Sequence, residues 1–147
     1  VINLPALGLC YYASKGDGAF RISKDGSISK IHVNSKENNL TVLKSISHST
    51  VEECAVIAKH SNIITNEELC GAAWKFCKIA EGSAEISYRF SPYTKECDRR
   101  IAAGDIILQE AGGIMLKPDK TRITYNKKDV YNRDGYILVN KLENFLL

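Results

Sequence analysis

Apolar and polar positions alternate in short blocks along the first third of the chain. "LGLCYYAS" has the composition of a strand, "KGDG" is a turn, and "AFRIS" resumes the alternation; "KDGS" then turns the chain into "ISKIHVN". This pattern predicts an antiparallel meander of three strands over roughly residues 7–34. "NLTVLKSIS" predicts a further strand. "STVEECAVIAKH" opens with a Ser/Thr cap followed by Glu52 and Glu53, the signature of a helix start. "NIIT" reads as a short buried strand. "NEELCGAAWKFCKIAEG" then predicts a helix with Leu69, Ala73, Phe76, Cys77 and Ala80 on one face and Gly82 as its stop. "AEISYRF" predicts a strand, "SPYTKE" a loop, and "TKECDRRIAAGDIILQEAGG" a capped helix that stops at Gly112-Gly113. "GIMLK" and "RITYN" flank a "PDKT" turn, "GYILVN" predicts a late strand, and "KLENFLL" a short terminal helix. From about residue 40 the two periodicities alternate, which predicts α/β layering.

Composition narrows the partners. A chain of 147 residues can bury a real core. Its net charge of +3 and its lack of any long like-charge run argue against a nucleic-acid polymer. The apolar runs are too short to span a bilayer, which argues against a membrane partner. The opening "VINLPALGLCYY" lacks the basic start and cleavage site of a signal peptide. It also lacks an initiator Met, from which a longer polypeptide is expected. The five cysteines, Cys10, Cys54, Cys70, Cys77 and Cys97, form no C-x-x-C pair and have no histidine at zinc-ligand spacing. Reduced, mostly buried thiols and a cytoplasmic location are expected.

Candidate chemistry is sparse. The chain has no P-loop, dinucleotide-binding glycine pattern, nucleophile elbow or H-E-x-x-H motif. Ser47-His48 is formally a nucleophile–base pair, but adjacent residues rarely face each other and no orienting carboxylate is evident. Asp98 at a helix start is either an N-cap suited to the helix dipole or a ligand for a hard cation such as Mg²⁺. Lys75 in an apolar helix and Arg89 at a strand end are either two solvated surface charges or two cations that converge on one anion.

Taken in order, "KFC-x-x-AEG-x-A-x-x-x-x-RF-x-P", "TKE-x-D", "AAGDIILQEAGG" and "YN-x-x-DVYNRDGYILVN" resemble the inositol monophosphatase superfamily. "SISH" resembles the S-R-S-H segment of its 3′(2′),5′-bisphosphate nucleotidase branch, and "LGLCYYASKGDGAF" its strand–hairpin. The resemblance covers nearly the whole chain. It implies a layered α/β sandwich, with a C-terminal mixed sheet flanked by helices and an N-terminal antiparallel meander left from a first sheet. Residues 1–36 would be the remnant of that sheet and residues 37–147 the C-terminal α/β domain.

The implied activity is that of a Mg²⁺-dependent phosphatase that removes the 3′-phosphate of 3′-phosphoadenosine 5′-phosphate or a similar bisphosphorylated nucleotide. Carried onto this chain, Asp98 would be a metal ligand, and Lys75 and Arg89 would grip the phosphate that is not cleaved. Ser47 and His48 would lie near the ribose or base, and Gly71 and Ala72 would line the substrate, with Ala72 and Ala73 where the branch commonly has serines. The alternatives are a phosphonucleotide-binding paralogue that does not cleave, or a phosphatase of inositol or sugar phosphates.

Three departures bear on this. The metal motif D-P-x-D-G-T and its preceding Glu are absent. The chain is therefore expected to be the C-terminal part of an enzyme, inactive alone, and to pair with a missing N-terminal part or with itself. Cys97 stands where a Trp is usual. Three residues, Arg99, Arg100 and Ile101, separate Asp98 from the Ala pair where the family has one. Inside a continuous helix two additional residues turn Asp98 by about 200°, whereas in a preceding loop they leave it in place.

Overall fold

Four short strands at the start of the chain pair in sequence order as one antiparallel sheet: β1 (Ile2–Leu4), β2 (Leu9–Ser14), β3 (Gly18–Ile22) and β4 (Ile28–Ile31). The computed structural model describes residues 1–71, 73–90, 98–129 and 131–147, with the side chains of 98–100 outside the description. The expected meander is present but gains β1, whose Ile2 sits opposite Tyr11. Three residues are too few to show an alternation in the sequence.

The rest of the chain builds a five-stranded sheet around β5 (Leu40–Ser45), β6 (Ile64–Cys70), β7 (Ile86–Arg89), β8 (Ile114–Leu116) and β9 (Tyr136–Val139), in the order β6-β5-β7-β9-β8. β5 runs parallel to β6 and β7, while β9 is antiparallel to β7 and β8. The sheet is therefore mixed, as expected.

β6 corrects the expected helix over "NEELC". The chain extends through Ile64–Cys70 as an edge strand, and the helix that follows, α2 (Trp74–Ala80), has only seven residues. Glu67 and Glu68 favour helix intrinsically, but parallel pairing with β5 overrides them. Their charges are used along the edge instead. Glu67 pairs with Lys44 at 2.8 Å and Glu68 with Lys78, and an edge strand tolerates such residues well. Leu69, expected on an apolar helix face, is 63% exposed.

α1 (Val51–Lys59) starts at a full capping box: Thr50 Oγ1 accepts from Glu53 N, and the Glu53 carboxylate accepts from Thr50 N. α3 (Asp98–Glu110) is the long helix of the fold. "RITYN" forms no strand, and the terminal helix is a single 3₁₀ turn at Leu142–Asn144.

α2 and α3 lie between the two sheets. Their shared core includes Tyr11, Ala19 and Ile31 from the first sheet, Phe76, Ile79, Ile101, Ile107 and Leu108 from the helices, and Leu43, Met115 and Leu138 from the second sheet. Gly104 permits the helix contact, since a β-carbon there would lie 2.4 Å from Phe76 Cγ. The second core joins Ile57 of α1 to Val42, Ile86, Tyr88 and Ile137 on the far face of the second sheet. Each fully buried aliphatic side chain contributes about 1.5–3 kcal/mol of transfer free energy.

A polar seam ties the layers. Glu81, just past α2, accepts from Tyr11 Oη at 2.9 Å and from Arg21 Nη1 at 3.1 Å on the first sheet. Burial, then the Glu81 hydrogen bond, pushes the Tyr11 hydroxyl far above its ordinary pKa, so it stays a donor. Among the described residues no helix is long and apolar enough to cross a membrane, and Cys10, Cys54, Cys70 and Cys77 are free thiols.

Candidate functional site

Because β5, β6 and β7 are parallel, their carboxyl ends lie along one edge of the sheet, where α/β folds present ligands. Five of the residues singled out from the sequence fall there. β5 runs on into an exposed loop that carries Ser47 and His48. β6 ends at Cys70, and exposed Gly71 leads towards α2, whose second residue is Lys75. β7 ends at Arg89. Ala72 lies outside the described residues.

Lys75 is 7% exposed and Arg89 8% exposed. Neither is a solvated surface charge, which removes one of the two readings that the sequence left open. Arg89 Nη1 donates to the His48 carbonyl at 3.1 Å, so the β7 end and the β5 loop touch directly. Strand register sets Arg89 opposite Tyr136 on the same face of the sheet, and the Tyr136 ring packs on Phe76 of α2 at 5.9 Å. Lys75 lies near Cys70. Burial pushes the Cys70 thiol up to about 11, against the opposing pull of the Lys78 and Lys75 ammonium groups. A buried cation is stable only with acceptors or a counter-charge around it. Guanidinium and ammonium groups both suit a phosphate, the first as a two-pronged donor and the second as a point charge.

Gly135 fixes the height of the β7 end. Its backbone lies so close to Arg89 that a β-carbon there would meet the Arg89 carbonyl oxygen at 2.0 Å. The stretch around Gly135 also lines a hollow of about 260 Å³, but the cations there have partners within it: Lys117 lies 3.6 Å from Asp134, and Arg133 lies 2.8 Å from Asp129.

The sequence reading gave Glu53 only a helix-capping role. It is 4% exposed, and its Oε1 accepts from Phe90 N at 2.9 Å, immediately beyond Arg89. No sequence signal announces this second bond, because it spans two elements distant along the chain.

α3 begins at Asp98, so Arg99, Arg100 and Ile101 stand inside the helix and not in a loop before it. The Asp98 side chain lies outside the description. Among the described residues no group of three or more His, Cys, Asp or Glu side chains could hold a metal ion. Taken alone, those residues do not fit a metal centre.

The family model described as "Inositol monophosphatase family" matches residues 1–144. The chain is 27% identical over 139 residues to the 3′(2′),5′-bisphosphate nucleotidase CysQ of Aggregatibacter actinomycetemcomitans, covering 94% of this chain and 50% of that protein. It is 28% identical over 141 residues to 3′,5′-bisphosphate nucleotidase 2 of Arabidopsis thaliana, covering 92% of this chain and 40% of that protein. Among solved structures, CysQ from Bacteroides thetaiotaomicron superimposes with a TM-score of 0.78 at 25% identity, over 93% of this chain and 56% of that one. The chain thus spans about half the length, or less, of these relatives.

Proposed function

The chain belongs to the inositol monophosphatase family, and from that premise we propose that its strand ends grip a bisphosphorylated nucleotide of the 3′-phosphoadenosine 5′-phosphate type. Lys75 and Arg89 hold the phosphate that is not cleaved. Ser47 and His48 face the ribose or base, and Gly71 and Ala72 line the nucleotide. The observation that carries this is the burial of Arg89, held by the His48 carbonyl at 3.1 Å, at the edge where Lys75 also lies. Two cations suit a ligand with a second phosphate better than a monophosphate. The relatives named as bisphosphate nucleotidases support the same substrate class.

In this reading the chain contributes the nucleotide-binding half of a cytoplasmic, Mg²⁺-dependent phosphatase that removes the 3′-phosphate. Mg²⁺ would neutralise phosphoryl charge and activate a water. Asp98 is the one ligand for it that the reading assigns to this chain, so the 147-residue chain alone should release no phosphate. The remaining contacts come from further polypeptide or from a second copy.

A second reading, binding without cleavage, is favoured by one observation. Arg99 and Arg100 lie within α3, and two additional helical residues turn Asp98 by about 200° from the position that the resemblance gives it. Titration calorimetry with 3′-phosphoadenosine 5′-phosphate, with Mg²⁺ and with chelator, tests both. Micromolar binding that is lost in Lys75→Ala supports the shared grip. Binding that needs no Mg²⁺ supports the second reading, and absence of binding overturns both.

A further inference from the structure

Arg89 and the Ser47–His48 loop come from different strands, yet one buried side chain ties them together. Glu53 is 4% exposed in the first turn of α1. Its Oε2 accepts from Thr50 N at 3.2 Å, at the end of the loop that carries Ser47 and His48. Its Oε1 accepts from Phe90 N at 2.9 Å, one residue beyond Arg89. Arg89 Nη1 closes the circuit by donating to the His48 carbonyl at 3.1 Å.

We propose that Glu53 is a positioning residue, which locks Arg89 and the Ser47–His48 loop into one preorganised surface for a phosphorylated ligand. The inference deepens the function proposed above and rests on it for the ligand. A capping box needs only one oxygen of its acidic residue. Here the second oxygen reaches another element, and both amides are satisfied by one buried carboxylate. An amide side chain cannot reproduce this, because its NH₂ end would face a backbone N–H. Both bonds go to main chain, so they fix backbone positions whatever the side chains at residues 50 and 90. Preorganisation of this kind lowers the ordering cost of binding.

The test uses the 147-residue chain and two readouts: calorimetric affinity for 3′-phosphoadenosine 5′-phosphate, and NMR order of the Arg89 Nε–H without ligand. Glu53→Gln is expected to keep the fold by circular dichroism, raise Kd at least fivefold and lower Arg89 order. Glu53→Asp, one methylene shorter, is a second variant expected to shift both in the same direction. Glu52→Ala, the exposed neighbour, should leave both within twofold of the original chain. Unchanged Kd and unchanged Arg89 order in the folded Glu53 variants would overturn the proposal, as would a loss of stability alone. If the unsubstituted chain binds no nucleotide, the functional reading fails. The order of Arg89 then still decides whether Glu53 positions it.

Discussion

Substituting Gly135 by alanine places a methyl group where the chain has no room for it. The added carbon would lie 2.0 Å from the Arg89 carbonyl oxygen and 3.0 Å from both Arg89 C and Phe90 Cα. Carbon–oxygen approaches in proteins settle at about 3.3 Å or more, so β7 and the turn before β9 must part by roughly 1 Å. Gly135 also has φ of +75°, where an L side chain costs about 1–2 kcal/mol. Forced backbone shifts in a packed region add about 1–3 kcal/mol. The sum is a loss of roughly 2–5 kcal/mol, on the order of 10 °C in Tm for a domain of this size.

Gly16→Ala isolates the second contribution, because Gly16 has φ of +88° but nothing within 4 Å of its added carbon. It should lose only the conformational part, about 1–2 kcal/mol. Urea unfolding of both variants beside the original chain measures the difference. Gly135→Ala should be the less stable of the two and should also weaken nucleotide binding, since the atoms displaced belong to Arg89 and Phe90. Equal destabilisation of the two variants would refute the close approach at the β7 end.

Three further outcomes follow from the burial of particular groups. Glu85 is 0% exposed and accepts from Thr41 N at 2.6 Å and Asn34 Nδ2 at 2.5 Å. Glu85→Ala leaves Thr41 N and one hydrogen of Asn34 Nδ2 unmet, the other staying on the Gly82 carbonyl, and should cost about 2–6 kcal/mol in urea unfolding, at about 1–3 kcal/mol per buried unsatisfied donor. Burial pushes the Cys77 thiol from 9.0 up to about 12, so the folded chain keeps a proton that the unfolded chain releases. Stability should therefore fall as pH rises from about 9 towards 12 and be unaffected by this group below 9, with Cys77→Ala showing a shallower fall. In native conditions a thiol reagent should modify exposed Cys54 before buried Cys70 and Cys77.

The elements that the sequence made legible are those with local signals. The hairpin β2–β3 has turn residues between two alternating runs, α1 has a cap and paired glutamates, and α3 ends at two glycines. β6 was hidden because Asn66, Glu67 and Glu68 have no strand propensity of their own, and only pairing with β5 makes them a strand. The family resemblance named the candidate residues one by one, and the structure brings Ser47, His48, Gly71, Lys75 and Arg89 to one edge of the second sheet. The burial of Lys75 and Arg89 was not legible, because spacing alone does not say which face of an element is covered. Glu53 was read as a cap because its bond to Phe90 joins α1 to the residue just past β7, across 37 positions.

Phosphate counting at the site is the most direct test of the central claim, that Lys75 and Arg89 hold a second phosphate. Calorimetric affinities for 3′-phosphoadenosine 5′-phosphate and adenosine 3′-monophosphate, which lacks the phosphate assigned to Lys75 and Arg89, are compared in the original chain and in Arg89→Met. The account predicts at least a tenfold preference for the bisphosphate in the original chain, equivalent to about 1.4 kcal/mol, and its collapse towards parity in the variant. Equal affinity of the original chain for the two nucleotides, or a preference that survives Arg89→Met, would contradict it.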